Sequence, residues 1–106
     1  MEDKTQRDLI LNQLKHIMLE ELKEESARIY LFGSWARNEE KQSSDIDVAV
    51  DSLNEIKPLT WVNLLERIEE STIPYRVDVV NMDKANEELI KNIKREGIIW
   101  KDFVNA

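Results

Sequence analysis

Two aspartates lie inside an apolar stretch near the middle of this chain, and they limit what the chain can fold into. The stretch reads "DIDVAVD" over residues 45–51. Asp is unfavourable in strands, and a buried charge without a partner is costly. Alternate strand residues share a face, so Asp45 and Asp47 point together while Ile46 and Val48 face the core. The pattern predicts a strand that presents two carboxylates, either to solvent at an edge or to a ligand.

The composition restricts which ligand two carboxylates would bind. The chain has no cysteine and one histidine, so a metal site would depend on oxygen ligands, which favour Mg²⁺, Mn²⁺ or Ca²⁺. Two neighbouring carboxylates repel each other, and a divalent cation removes that conflict. Fifteen basic and 22 acidic residues give a net charge of -7, which argues against a long nucleic-acid footprint.

The length of 106 residues predicts a single domain over 1–106. No apolar run reaches the roughly 18 residues of a membrane span. The N-terminal stretch "MEDKTQRDLI" is polar and unlike a signal peptide, so we expect a cytoplasmic protein.

Helical and extended apolar patterns alternate along the chain, which predicts a mixed domain of helices and strands. We expect helices over residues 5–25 and 84–97, and two further helices that begin at residues 34 and 58. We expect strands over residues 27–32, 45–51 and 75–82. Residues 98–100 could be a last strand or an extended tail. Ser34 is the expected N-cap of the short second helix, and Asn38, which tolerates the left-handed conformation, is expected to end it. Gly97 is expected to close the helix over 84–97.

Gly33 and Ser34 end the first predicted strand and form a candidate phosphate site. Glycine lets a phosphate approach the backbone, and a helix start offers free N–H groups. The Ser34 hydroxyl and the Arg37 guanidinium could each bind a phosphate oxygen. Each signal alone is weak, because most Gly-Ser pairs are turns and an arginine such as Arg37 is more often a surface cation than a ligand.

Asp78, in "RVDVV", is the candidate third carboxylate. If its strand pairs beside residues 45–51, Asp78 can face the same site, and three acidic groups suit two metal ions in phosphoryl-type transfer. The alternative is a salt-bridged structural acid. We expect Trp35 to be a packing residue that lies next to the phosphate loop.

These elements together resemble the nucleotidyltransferase superfamily to which DNA polymerase beta belongs. The match is Phe32-Gly33-Ser34, ten intervening residues, Asp45-Ile46-Asp47, and a later acid at Asp78. The small size is similar to the minimal nucleotidyltransferases, the MNT or MntA-like group. The resemblance implies an α+β, two-layer nucleotidyltransferase fold with a small mixed β-sheet packed with helices.

The resemblance also implies a role for each matched residue. Gly33 and Ser34 hold the nucleotide phosphates, while Asp45 and Asp47 bind metal, with two Mg²⁺ ions expected. Asp78 helps to bind metal and to activate the attacking hydroxyl. Relatives commonly carry glycine where this chain has Asn38.

The resemblance implies that the chain is an antitoxin that transfers AMP from ATP to a tyrosine of a HEPN-domain toxin. Two alternatives stay open at this point. The chain could neutralise a HEPN partner by contact alone, or it could transfer a nucleotide to a small molecule such as an aminoglycoside. The sequence does not fix the acceptor, the nucleotide base or the oligomeric state.

Overall fold

A computed structural model describes residues 5–103 of the chain. Its elements, in chain order, are α1 (Gln6–Glu21), β1 (Ala27–Phe32), α2 (Gly33–Ala36), β2 (Ile46–Ser52), α3 (Pro58–Glu69), β3 (Val77–Asn81), a 3-10 helix (Met82–Lys84), α4 (Glu87–Glu96) and β4 (Ile98–Lys101). The predicted alternation is confirmed, and 98–100 belongs to a strand rather than a tail. The ends of the predicted single domain, 1–4 and 104–106, lie outside the described residues. Of the helices described, none has the length and apolarity needed to cross a bilayer.

The four strands form one mixed sheet in the order β3-β2-β1-β4. Strand β1 is antiparallel to both β2 and β4, whereas β2 and β3 run parallel. A parallel pair needs a crossover connection, and α3 supplies it. The expected mixed sheet is therefore confirmed, with β3 and β4 as its two edges.

The larger part of the core lies between one face of the sheet and helices α1 and α3. Its buried residues are Ile10, Leu14, Ile17, Met18, Leu22, Ala27, Ile29, Leu31, Trp35, Ile46, Val48, Val50, Ile56 and Leu64. Removing this apolar surface from water is the main driving force for the fold. The prediction that Ile46 and Val48 face the core is confirmed, since both are fully buried.

Helix α4 covers part of the opposite face of the sheet. A smaller buried cluster of Tyr30, Ala49, Met82 and Ile93 joins it to β1, β2 and the 3-10 helix. Because side chains alternate along a strand, Asp47 lies on the same face as Ala49. Asp47 therefore faces the side on which α4 packs.

The turn between β1 and α2 differs in one detail from expectation. Ser34 is not the N-cap: α2 begins at Gly33, Phe32 occupies the cap position in extended conformation, and no side chain caps the helix. Ser34 instead lies in the first turn. Asn38 has a φ of 58°, which confirms the predicted left-handed residue after the helix.

Gly97 follows α4 as predicted, but for a different physical reason. Its φ of -71° needs no glycine. A Cβ atom at this position would overlap the carbonyl oxygen of Ile93 and lie 2.9 Å from Cδ1 of Tyr30. Glycine is needed here because the Ile93 carbonyl group of α4 and the Tyr30 side chain of β1 leave no room for a Cβ atom.

We predict that Gly97→Ala lowers the free energy of unfolding by about 1–3 kcal/mol, the usual cost of overpacking. Urea denaturation followed by circular dichroism measures the change. Lys94→Ala, an exposed substitution on the same helix, is the matched control and should change the value by less than about 0.5 kcal/mol. Equal effects of the two substitutions would contradict the proposed close approach.

Candidate functional site

Asp47 and Asp78 lie side by side on neighbouring parallel strands. The register of β2 and β3 pairs Asp47 with Asp78, after Ile46 with Val77. Residues paired in register share a face of the sheet. The sequence-based expectation that β3 lies beside β2 is thus met, and Asp78 faces the same side as Asp47.

Asp45 lies one residue before β2, where the strand pairing begins. The backbone N–H of Ile46 donates to the carbonyl of Arg76 at 2.9 Å and fixes the start of the parallel pair. Asp45 is half-buried there. The predicted strand over 45–51 therefore begins and ends one residue too early, because β2 spans Ile46–Ser52.

The Gly33 backbone lies directly against the Asp47 carboxylate. The antiparallel register pairs Phe32 with Asp47, which places Gly33 immediately past that pair. Gly33 has a φ of +75°, and a Cβ atom there would overlap Oδ2 of Asp47 and lie 3.2 Å from its Cγ. Both the backbone conformation and the available space require glycine. The predicted phosphate turn and the predicted metal strand are therefore in contact.

The electrostatic environment of Asp47 is unfavourable for its charged form. Burial raises the pKa of the Asp47 carboxyl, and the charges of Asp78 and then Asp45 raise it further, while Arg37 acts in the opposite direction. The Asp47 carboxylate thus lacks compensating positive charge. A divalent cation would supply the positive charge that these carboxylate oxygens lack.

The three carboxylates do not form a ready-made cage. Across residues 5–103, no group of three or more His, Cys, Asp or Glu side chains is arranged so that it could hold a metal ion. The Asp78 carboxylate lies 3.5 Å from Nε of Arg76 instead.

Arg37 lies near the site but is held by carboxylates. Its guanidinium donates to Glu39 at 2.8 Å and to Glu96, at the end of α4, at 3.4 Å. Its charge still reaches Asp47, since it favours the ionised form of that carboxyl. Exposed ion pairs of this kind are weak and exchange partners easily.

Two contacts at the site were not predicted from the sequence. Arg76 precedes Asp78 by two residues, so strand alternation alone could have placed it beside that acid. Arg7 of α1 donates to the backbone carbonyl of Trp35, next to Ser34. No local pattern indicates a contact between residues so distant along the chain.

We predict that Asp47→Asn raises the thermal midpoint of the metal-free protein by about two to five degrees at pH 7. The folded state raises the pKa of Asp47, so its ionised form destabilises the fold at neutral pH. The gain should vanish as the pH falls below the ordinary value of 3.8, where Asp47 is protonated in both states. Thermal unfolding in EDTA measures it, with Asp51→Asn as control. An Asp47→Asn protein less stable than the wild type at pH 7 would refute this.

This chain is similar to known proteins in its sequence and in its fold. The profile of the family described as "Polymerase beta, Nucleotidyltransferase" matches residues 12–102. A putative protein adenylyltransferase of Methanocaldococcus jannaschii is 32% identical over 91 residues, covering 86% of this chain and 90% of the relative. The protein adenylyltransferase MntA of Thermococcus cleftensis is 33% identical over 93 residues, covering 83% of this chain and 93% of the relative.

A solved structure shares the fold. It is a tri-AMPylated Shewanella oneidensis HEPN toxin in complex with an MNT antitoxin, matched with a TM-score of 0.65 and 22% identity over 91% of this chain and 72% of that chain. The matched family region includes the Gly33-Ser34 turn and all three aspartates. The expected nucleotidyltransferase fold and the sequence resemblance are both confirmed: this chain belongs to the polymerase beta nucleotidyltransferase family.

Proposed function

We propose that this protein is a Mg²⁺-dependent adenylyltransferase that moves AMP from ATP to a tyrosine hydroxyl of a HEPN-domain partner, and thereby acts as its antitoxin. The observation that carries the proposal is the contact between the Gly33 backbone and Asp47, with Asp78 aligned beside it. Relatives named protein adenylyltransferases support the choice of AMP and of a protein acceptor. A structural neighbour that pairs an MNT antitoxin with an AMPylated HEPN toxin supports the partner.

In this proposal the turn at Gly33 and Ser34 binds the triphosphate. The backbone N–H groups of the turn donate to one phosphate oxygen, and the Ser34 hydroxyl donates to a second oxygen. Arg37 moves from Glu39 and Glu96 to the phosphates, because its exposed ion pairs are weak.

The carboxylates of Asp45, Asp47 and Asp78 would hold the metal, with two Mg²⁺ ions proposed. The donor set fits this group, since it consists of oxygen ligands around an Asp47 whose charge is undercompensated. Bound there, the metal neutralises phosphate charge. The phosphates of ATP would complete the ligand set.

Asp78 is the best placed of the three acids to contact the acceptor. It lies on the edge strand β3, and its side chain is 42% exposed. The tyrosine oxygen attacks the α-phosphorus, the bond to the bridging oxygen of pyrophosphate breaks, and Asp78 accepts the hydroxyl proton. An acid at the sheet edge leaves room for an acceptor as large as a protein.

A second function, neutralisation by contact alone, is favoured by one observation. Helix α3 exposes Leu59 at 69%, Val62 at 48% and Leu65 at 48%. Exposed apolar side chains grouped on one helix are typical of a surface that binds another protein. Such a surface would bind a partner whether or not AMP is transferred.

We predict that the protein, with Mg²⁺ and α-labelled ATP, labels a tyrosine of a HEPN-domain partner. Asp47→Asn should reduce the labelling rate by at least about a hundredfold, because the substitution removes a central metal ligand. Autoradiography and mass spectrometry of the partner measure the transfer.

Asp51→Asn is the matched control, since Asp51 lies on the same strand and face four residues further along. It should keep labelling within about twofold, as expected of an acid outside the site. A wild-type protein that never labels the partner would contradict the proposed chemistry. Toxin neutralisation that survives in Asp47→Asn would favour the contact mechanism.

We also predict that Gly33→Ala lowers the rate of AMP transfer by about a hundredfold or more, because the new methyl group displaces the Asp47 carboxylate. Asn38→Ala is the control, since it also places alanine at a position with a positive φ. Labelling rates should be compared with thermal midpoints for both variants. Equal loss of activity in the two would show that backbone strain, not the Asp47 contact, is responsible.

A further inference from the structure

We propose that Trp35 is a positioning residue of the transfer site. It holds the Gly33-Ser34 turn, the segment before Asp45 and the strand carrying Asp78 in one arrangement. The catalytic consequence rests on the proposed function, whereas the restraint itself rests on contacts of the folded chain. Because the Trp35 side chain is only 2% exposed, a substrate cannot contact it directly. Trp35 therefore affects the site only through these three segments.

The first contact joins the two ends of the connection between the phosphate turn and β2. Trp35 directly follows Ser34 in the chain. Its indole Nε1–H donates to the backbone carbonyl of Ser44 at 3.3 Å, and Ser44 directly precedes Asp45. One side chain therefore ties the phosphate half of the site to the metal half.

The second contact reaches the strand that carries the third acid. The rings of Trp35 and Tyr75 meet edge to face, with centroids 4.9 Å apart and an interplanar angle of 73°. Tyr75 lies three residues before Asp78, just ahead of β3. This geometry is a favoured one for aromatic pairs and holds the residue two positions before β3 against the buried indole.

Helix α1 holds Trp35 in place from the other side. Arg7 donates to the Trp35 carbonyl, and its guanidinium carbon lies 5.9 Å from the centre of the indole ring. The Arg7 Nε also donates to Glu40 at 2.8 Å. Since Glu40 belongs to the connection between α2 and β2, the same arginine restrains both Trp35 and the segment that Trp35 ties down.

Such restraint matters because transfer depends on the relative placement of groups from different segments. Catalytic geometry is lost when supporting contacts allow shifts of about 1 Å. The residues between Arg37 and Asp45 contain no helix or strand. Backbone hydrogen bonds from Glu39 to Ser34 and from Ser44 to Lys41 fix part of their path. The hydrogen bond from the Trp35 indole to the Ser44 carbonyl adds a restraint from the core.

The test uses Trp35→Phe, which keeps an aromatic ring but removes the indole N–H. Trp61→Phe is the matched control, because Trp61 packs against the same core cluster from α3. Amide hydrogen exchange by mass spectrometry should become about fivefold faster over residues 39–46 in Trp35→Phe, as expected for the loss of one hydrogen bond. Trp61→Phe should leave this segment unchanged.

The second measurement is the affinity for Mn²⁺–ATP, followed by electron paramagnetic resonance of free Mn²⁺. Trp35→Phe should weaken binding about three- to tenfold, and Trp61→Phe should stay within twofold, because only the first loosens the site. Tyr75→Phe, which keeps the ring contact, should bind like the wild type, whereas Tyr75→Ala should resemble Trp35→Phe.

The outcomes separate this inference from the proposed function. Unchanged exchange over 39–46 in Trp35→Phe overturns the positioning role, whatever the protein transfers. Faster exchange with wild-type Mn²⁺–ATP affinity overturns it as well. A wild-type protein that binds no Mn²⁺–ATP overturns the proposed function, and the catalytic part of this inference with it.

Discussion

The site depends on the close approach of the Gly33 backbone to the Asp47 carboxylate. The antiparallel pairing of β1 and β2 places Gly33 just past the partner of Asp47, and no other residue fits the remaining space. A single contact thus brings a turn able to bind phosphate next to a strand able to bind metal. The parallel pairing of β2 with β3 adds Asp78 from the other side.

The two arginines near this contact are paired with carboxylates of the same chain. Arg76 lies beside Asp78, and Arg37 lies between Glu39 and Glu96. Within residues 5–103, the charge of Arg37 only partly offsets the effects of burial and two neighbouring acids on Asp47, so the pKa of its carboxyl is raised. The molecule keeps a destabilising charge where its proposed chemistry needs one, a common compromise at functional sites.

Local patterns predicted most of the fold and only part of the site. The strand at Ala27–Phe32, the proline that opens α3 and the left-handed Asn38 follow from spacing and residue type. The alternation of Asp47 with buried neighbours follows from strand periodicity.

Contacts between distant segments could not be predicted in the same way. The pairing of Asp47 with Asp78 depends on strand order, which no local pattern fixes. The contact of Arg7 with Trp35 joins helices from different parts of the chain. Ser34 was placed wrongly as an N-cap because Gly33, with its positive φ, begins the helix itself.

The parallel pairing of β2 and β3 has a consequence for biosynthesis. Asp47 and Asp78 are 31 residues apart, and the crossover through α3 must be completed before they meet. Non-local parallel pairing is slow to form compared with local helices and hairpins. A nascent chain that has just emerged with Gly33 and both early aspartates therefore has the sequence signature of the family but not yet its complete site.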